Sequence, residues 1–225
     1  VWEDASNKVS YDKRRHYLLG GELDGVMNYV FKNAIIDFVR GGDPDTFIGA
    51  VGNIMDHYPK RALDCCFTLL DSHDTARIKS VLADKDVSGL SKQEKLNVTL
   101  TPFERDLAWR RLKIAAVLQY TLPGNPMLYY GDERGMEGYE DPTNRKTVDW
   151  KNKDEEIFAL YKKLGRIRKK YASVFRGTTY LETGNGMAVF HRVARSREVI
   201  VLANSSNHVQ TYYIDGKYTD LLTDR

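Results

Sequence analysis

The sequence has little of several features that would assign it to a class directly. Its two cysteines, Cys65 and Cys66, are adjacent, so they cannot form an ordinary unstrained disulfide and no disulfide framework is expected. No apolar run approaches the roughly 18 residues of a membrane-spanning helix. The net charge is only +3, which is too small to indicate a nucleic-acid partner. We therefore expect neither a membrane nor a nucleic acid as a partner.

Histidine is also too sparse and scattered to form a zinc motif such as HxxxH or HExxH. The sequence contains only His16, His57, His73, His191 and His208. The N-terminus shows no basic segment followed by an apolar run, so no signal peptide is visible, and we expect a cytoplasmic protein, with secretion as the alternative. What is present is enough for a core, since 42% of the residues are hydrophobic and 11% are aromatic.

Apolar patterning in the first part of the chain alternates between strand and helix. Three short apolar runs are typical of strands covered on both faces in a parallel sheet, at 23–29, 63–70 and 126–130. Helical spacing and capping signals predict helices over 10–21 and 32–39, from Asp43-Pro44, from Thr101 to Pro123, and over 154–171. Residues 84–100 are predicted to form a surface loop. This alternation favours an α/β fold.

The pattern changes after Arg176. Short alternating runs at 187–193, 199–203 and 209–214 are separated by turn signals, which predicts a small antiparallel β-domain. We therefore divide the chain into residues 1–172, a β/α part, and residues 173–225, a β-domain. In a β/α barrel the chemistry lies just past the carboxyl ends of the strands. That rule selects residues 1–6, 28–32, 71–77 and 131–145 as candidate site segments.

Within these segments single residues are weak signals. Asp74 next to His73 could be a helix N-cap as readily as a catalytic group. Asp132 and Glu133 are expected to structure their loop. Taken together, however, the four segments resemble motifs of the α-amylase family of glycoside hydrolases, in its neopullulanase, cyclomaltodextrinase and maltogenic amylase branch. The matching stretches are Val1-Trp2-Glu3-Asp4-Ala5, Val26-Met27-Asn28-Tyr29, Leu69 to Thr75, Tyr129 to Met136 and Gly138 to Arg145.

The resemblance implies a fold and a fragment. It implies the C-terminal part of a (β/α)8 TIM barrel, strands 6–8 with their helices, followed by a partial antiparallel β-domain. The family's nucleophile follows strand four and would lie upstream. Its general acid would immediately precede Val1. We therefore expect the chain to be inactive in isolation.

The resemblance also implies roles for particular residues. Asp74 is expected to be the third carboxylate, which stabilises the transition state of a retaining hydrolase. His73, Trp2, Asn28 and Tyr29 are expected to contact sugar, although Tyr29 could equally pack under the loop. The remaining expected contacts are Asp141 and Arg145, which could instead form a local ion pair. Thr75 and Arg77 are expected to support the loop.

The implied parent protein cleaves α-1,4 glucosidic bonds, with some α-1,6 cleavage, in maltodextrins, cyclodextrins or pullulan. It requires no cofactor. Family members often bind structural calcium, although no recognisable calcium loop is present. Branch members often dimerise, so a homodimeric parent is expected. The alternative is a non-catalytic carbohydrate-binding homologue, and a glutamate before Val1 would favour the enzyme.

Overall fold

The computed structural model describes residues 9–10, 13–14, 21 and 23–224. Its larger helices are α1 (Tyr29–Val39), α2 (Pro44–His57), α6 (Pro102–Thr121) and α7 (Glu155–Lys170). Shorter helices are α3 (Lys60–Cys65), α4 (Ile78–Leu82), α5 (Lys92–Lys95) and α8 (Ala172–Phe175). The strands are β1 (Val9–Ser10), β2 (Lys13–Arg14), β3 (Phe67–Thr68), β4 (Asn125–Pro126), β5 (Thr178–Glu182), β6 (Ala188–Ala194) and β7 (Arg197–Ala203).

A short parallel ladder organises the first part of the chain. Strands β3 and β4 pair in parallel with Phe67 opposite Asn125, and Met27 forms an isolated parallel bridge to Phe67 on the other side. Helices α1 to α3 connect Met27 to β3, and helices α4 to α6 connect β3 to β4. Parallel neighbours joined through helices confirm the predicted α/β class.

The predicted strands are much shorter than their apolar runs. The run at 63–70 begins in α3, where Ala62 and Leu63 are both buried. A continuous apolar run does not distinguish a buried strand from a buried helix, so the strand prediction was wrong for its first half. The run at 23–29 ends early because the Asn28 side chain accepts a hydrogen bond from the Phe31 backbone, 3.0 Å away, and caps α1.

The helices are held by the caps that their sequences contain. In α6, the Thr101 side chain accepts from the Glu104 backbone and the Glu104 carboxylate accepts from the Thr101 backbone, which confirms the predicted capping box. Asp154 caps α7 through the Ile157 backbone. The apolar faces of α1, α2, α6 and α7 pack into one core with β6 and β7, formed by residues that include Phe31, Ile35, Val51, Leu112, Leu118, Leu164, Phe190 and Val201.

The C-terminal part forms an antiparallel sheet in the order β5-β6-β7. This confirms the predicted sheet and its runs at 187–193 and 199–203. The strand predicted at 209–214 is wrong, because Val209 is 96% exposed and Tyr213 is 91% exposed, so that segment has no core to cover. The strand β5 was missed. The division at residues 172 and 173 stays a prediction.

The first described residues form a short antiparallel ladder. The helix predicted over 10–21 is wrong where it is described, since Ser10 pairs with Lys13 in the antiparallel ladder of β1 and β2. The rest of that range, apart from Arg14 and Gly21, lies outside the described residues. In the described part of the chain, even the 20-residue α6 lacks the apolar stretch that a bilayer-spanning helix needs.

Candidate active site

Two loops meet at the carboxyl edge of the parallel ladder. Residues 69–77, which we call the His-Asp loop, follow β3, and residues 127–145, which we call the Arg loop, follow β4. Because β3 and β4 are parallel neighbours, both loops leave the sheet at the same edge. This is the edge at which β/α folds place their chemistry.

Four of the predicted site residues form one exposed cluster on these loops. His73 Nε2 lies 3.2 Å from Asp74 Oδ1, and Arg145 Nη2 lies 3.8 Å from the same oxygen. Arg145 Nε also lies 3.5 Å from Asp141 Oδ1. The Asp74 and Asp141 side chains are 55% and 61% exposed. A guanidinium between two accessible carboxylates, with an imidazole beside them, can bind the hydroxyl groups of a polar ligand through several hydrogen bonds.

Main-chain contacts fix the shape of the His-Asp loop. The His73 carbonyl accepts hydrogen bonds from Asn144 Nδ2 at 2.8 Å and from Arg145 Nε at 3.0 Å. The Asp74 backbone donates to the Ser72 hydroxyl at 3.1 Å. The loop that carries the candidate carboxylate is therefore anchored from within and by the Arg loop.

The residues predicted on the neighbouring segment lie below this cluster. Asn28 is buried and uses its side-chain oxygen to cap α1. Tyr29 is also buried, and its hydroxyl lies 2.9 Å from the Ser72 hydroxyl, so it packs under the His-Asp loop. Their contacts with sugar stay predictions. Trp2 lies outside the described residues.

A buried ionic cluster underlies the exposed one. Arg77 is completely buried, and its Nη1 lies 3.1 Å from Asp132 Oδ1. Burial raises the pKa of Asp132 well above its ordinary value, and the neighbouring carboxyl of Asp71 raises that pKa further. Burial also raises the pKa of Asp71, against hydrogen bonds from Asp132 and the Ile78 backbone that lower it.

The raised pKa values mean that Asp71 and Asp132 release their protons at a higher pH than exposed aspartates do. Among the described residues no hydrogen-bond partner reaches Asp71 Oδ1, which is buried. Sequence reasoning missed Asp71 as a functional neighbour. The available signal was a carboxylate placed directly after the buried Leu69-Leu70, where an ionisable side chain needs a partner.

Other polar residues of the Arg loop shape its backbone. Glu133 Oε2 accepts a hydrogen bond from the Gly131 backbone at 2.9 Å, and Asp132 binds Arg77, which confirms that both acidic residues structure the loop. Gly138 lies so close to Thr143 that an added Cβ would come 2.3 Å from the Thr143 carbonyl oxygen. Only glycine fits there. Among the side chains that the structure describes, no group of three His, Cys, Asp or Glu residues is placed to hold a metal ion.

Comparison with known sequences places this arrangement in a family. The family described as alpha amylase, catalytic domain, matches residues 5–152. A cyclomaltodextrinase from a Bacillus species is 36% identical over 166 residues, which cover 72% of this chain and 26% of that protein. Neopullulanase 2 from Thermoactinomyces vulgaris is 28% identical over 218 residues, which cover 94% of this chain and 32% of that protein. The chain thus spans between a quarter and a third of the length of these two relatives.

Solved structures agree with the sequence comparison. A maltogenic amylase from S. marinus superposes with a TM-score of 0.72 at 30% identity, covering 94% of this chain and 28% of that one. The type III pullulan hydrolase from Thermococcus kodakarensis gives 0.71 at 27% identity, covering 84% of this chain and 32% of that one. These neighbours are TIM-barrel enzymes of the α-amylase family. With the family match over residues 5–152 and the motifs on the same loops, this chain belongs to the α-amylase family of glycoside hydrolases.

Proposed function

We propose that this chain contributes the third carboxylate and part of the sugar-binding surface of a retaining α-glucan hydrolase. The observation that carries the proposal is the exposed cluster of His73, Asp74, Asp141 and Arg145 at the carboxyl edge of the parallel ladder. The names of the relatives point to cyclodextrins, maltodextrins and pullulan as substrates. The bonds cleaved would be α-1,4 glucosidic bonds, with some α-1,6 cleavage.

In the proposed reaction an acid protonates the glycosidic oxygen while a carboxylate attacks the anomeric carbon. Water then hydrolyses the glycosyl-enzyme and restores both groups. By the resemblance, the acid and the nucleophile lie outside the 225 residues. Within them, Asp74 accepts hydrogen bonds from ring hydroxyls of the sugar at the cleavage site. Its negative charge also helps to keep the nearby acid protonated.

The other members of the cluster orient that sugar. His73 donates to a hydroxyl of the same sugar, and Arg145 bridges the two carboxylates, since its Nη2 lies 3.8 Å from Asp74 and its Nε lies 3.5 Å from Asp141. Asp141 and Arg145 then serve as donor-side contacts as well as a local ion pair. Trp2 would supply a stacking face on the acceptor side.

The proposal also assigns the barrel strands. Met27, β3 and β4 would be the sixth, seventh and eighth strands of the (β/α)8 barrel, with residues 173–225 as the domain behind it. Support comes from the parallel pairing of these three segments in chain order with helices between them. Homodimerisation of the full-length protein remains a prediction from the resemblance.

The stereochemistry of product release tests the proposed reaction. A full-length protein that contains these residues should release the α-anomer from maltotriose and from β-cyclodextrin, as followed by proton NMR during the first turnovers. The chain of 225 residues alone should release none. Release of the β-anomer would refute retention. Binding of cyclodextrin without turnover by the full-length protein would favour a non-catalytic carbohydrate-binding homologue.

A further inference from the structure

One buried side chain joins the two loops of the candidate active site. Arg77 belongs to the His-Asp loop, and its Nε donates to the Asn144 carbonyl at 2.9 Å. Its Nη1 donates to the Tyr130 carbonyl and, at 3.1 Å, to Asp132 Oδ1. The Arg77 backbone donates to the Gly138 carbonyl at 2.9 Å. All of these acceptors lie on the Arg loop, near both of its ends and in its middle.

The surroundings of Arg77 hold its charge in one orientation. The guanidinium carbon lies 4.1 Å from the centre of the Tyr129 ring and 4.6 Å from that of Tyr130, so both rings contact the cation. Arg77 is completely buried, and Asp71 and Asp132 below it are almost so. A guanidinium suits this buried site better than an ammonium group would, because its planar fork donates hydrogen bonds in fixed directions.

Asn144, on the Arg loop, forms hydrogen bonds back to the His-Asp loop. Its backbone carbonyl is held by Arg77, while its side-chain nitrogen donates to the carbonyls of His73 at 2.8 Å and Thr75 at 2.9 Å. Arg145, the next residue, donates to the His73 carbonyl as well. Hydrogen bonds through Asn144 therefore link the buried Arg77 cation to the His73 carbonyl. The position of the exposed cluster depends on this one buried cation.

We propose that Arg77 is a positioning residue that fixes the His-Asp loop against the Arg loop and thereby sets the geometry of the exposed cluster. Arg77 itself touches no sugar, since it is buried beneath the cluster. Its role in hydrolysis rests on the proposed function, whereas its role in loop geometry does not. A displacement of reacting groups by about 1 Å lowers a rate by about 100-fold, so loss of this restraint should be visible in kcat.

Amide hydrogen exchange in this chain tests the loop geometry without any substrate. Arg77→Lys keeps the positive charge but removes the fork and the ring contacts. The Asp74 and Thr75 amides donate within the His-Asp loop, and we expect their exchange to accelerate by about tenfold or more, with core amides of α2 unchanged. The matched control is Arg192→Lys, another completely buried arginine that donates to two carbonyls, those of Thr121 and Phe175.

The outcomes separate positioning from general stability. Equal acceleration at Asp74 in both variants, or none in Arg77→Lys, would overturn the proposal. If Arg77→Lys does not fold, Asn144→Ser provides the second variant, because it removes only the side-chain donor to His73 and Thr75. It should accelerate the same amides. Unchanged exchange in Asn144→Ser would then also overturn the proposal.

Kinetics of the full-length hydrolase provide the functional readout. Arg77→Lys should lower kcat by about tenfold or more with KM changed by less than about threefold, because the loop serves the transition state. Arg192→Lys should leave both parameters near those of the wild type. If exchange responds and the full-length protein hydrolyses no glucan, the proposed function fails while the positioning role in the loop stands. If kcat is unchanged in Arg77→Lys, the positioning role in the reaction fails.

Discussion

Asp74 and Asp71 lie in the same loop, yet their surroundings give them different chemistry. Asp74 is half exposed and faces His73 and Arg145, so it stays available for a ligand. Asp71 is buried against Asp132, and burial raises the pKa of both carboxyls. Within one loop, the exposed Asp74 is thus available to bind a ligand, whereas the buried Asp71 helps to hold the loop rigid. A conservative substitution at Asp132 therefore tests the role of the buried carboxyls.

We expect Asp132→Asn to gain stability relative to the wild type as pH rises above about 4. The pKa of Asp132 is raised well above its ordinary value by burial and by Asp71. Its stabilising contribution is therefore complete below the unfolded-state pKa and is lost as pH rises through the raised folded-state pKa. An amide does not titrate, but it can still accept from Arg77 and donate to Asp71. Urea unfolding at several pH values measures the difference.

Asp132→Leu is the control for this comparison. Leucine neither accepts from Arg77 nor donates to Asp71, so it should cost about 3 kcal/mol or more in the free energy of unfolding at every pH. Parallel stability curves for Asp132→Asn and the wild type across the pH range would show that Asp132 is ionised in the folded chain. That result would contradict the raised pKa of Asp132.

At the level of single helices, the local sequence determines where a cap forms. The stability that the cap contributes depends on how its helix packs against the core. Two capping boxes occur among the described helices, Thr101 with Glu104 at the start of α6 and Ser91 with Glu94 at the start of α5. Helix α6 carries buried residues along its length, including Ala108, Leu112 and Leu118, whereas α5 buries none. Fraying of α6 therefore exposes core surface, and fraying of α5 does not.

Thr101→Ala should lower the free energy of unfolding by about 1 kcal/mol, because one helix donor loses its partner at the base of a packed helix. The matched change Ser91→Ala should cost less than about 0.5 kcal/mol, since α5 can fray without exposing the core. Thr101→Ser, which keeps the hydroxyl, should retain most of the wild-type stability. Urea unfolding followed by circular dichroism measures all three. Equal losses at Thr101 and Ser91 would contradict the packing argument.

The antiparallel sheet carries an ionic cluster of its own. His191 on β6 lies with its two ring nitrogens 2.6 Å from Glu182 on β5 and 2.6 Å from Glu198 on β7. Tyr212 and Tyr218, from the segment after β7, donate to the same two carboxylates. The cluster therefore joins all three strands and the segment that follows them.

Acid should weaken this cluster. Hydrogen bonds from His191 and Tyr218 lower the pKa of Glu198, and for Glu182 the hydrogen bonds from Tyr212 and His191 outweigh a raising effect of burial. A lowered pKa means that the stabilising contribution is present above the unfolded-state value and is lost as pH falls through the folded-state value. We expect amide protection in β5 to β7 to fall below about pH 4.5.

Glu198→Gln should reduce that pH dependence, because the amide does not titrate in this range. Asp56→Asn, at an exposed position on α2, is the control and should leave it unchanged. Hydrogen exchange of the sheet amides between pH 3 and pH 6 gives the comparison. Equal pH dependence in Glu198→Gln and the wild type would show that the cluster does not control acid stability.

For the molecule as a whole, the sequence could predict the features that are determined by residues close together along the chain. The capping box of α6, the α/β alternation and the position of polar motifs after apolar runs follow from local patterns, whereas helix α5 lies in a segment predicted to be a loop. The contact between Arg77 and Asp132 could not be predicted, because these residues are 55 positions apart and meet only when β3 and β4 pair. The failed strand at 209–214 has the same cause, since alternation indicates a strand only where a core exists to cover it.

The most direct test of the central claim is the turnover of maltotriose by a full-length protein carrying Asp74→Asn. We expect the variant to fold normally and to lose at least about 100-fold in kcat, because a charge-assisted hydrogen bond that tightens in the transition state is lost. Asp86→Asn, at an exposed position between α4 and α5, is the matched control and should retain normal turnover. Near-normal turnover by the Asp74→Asn variant would contradict the assignment of this loop as the source of the third carboxylate.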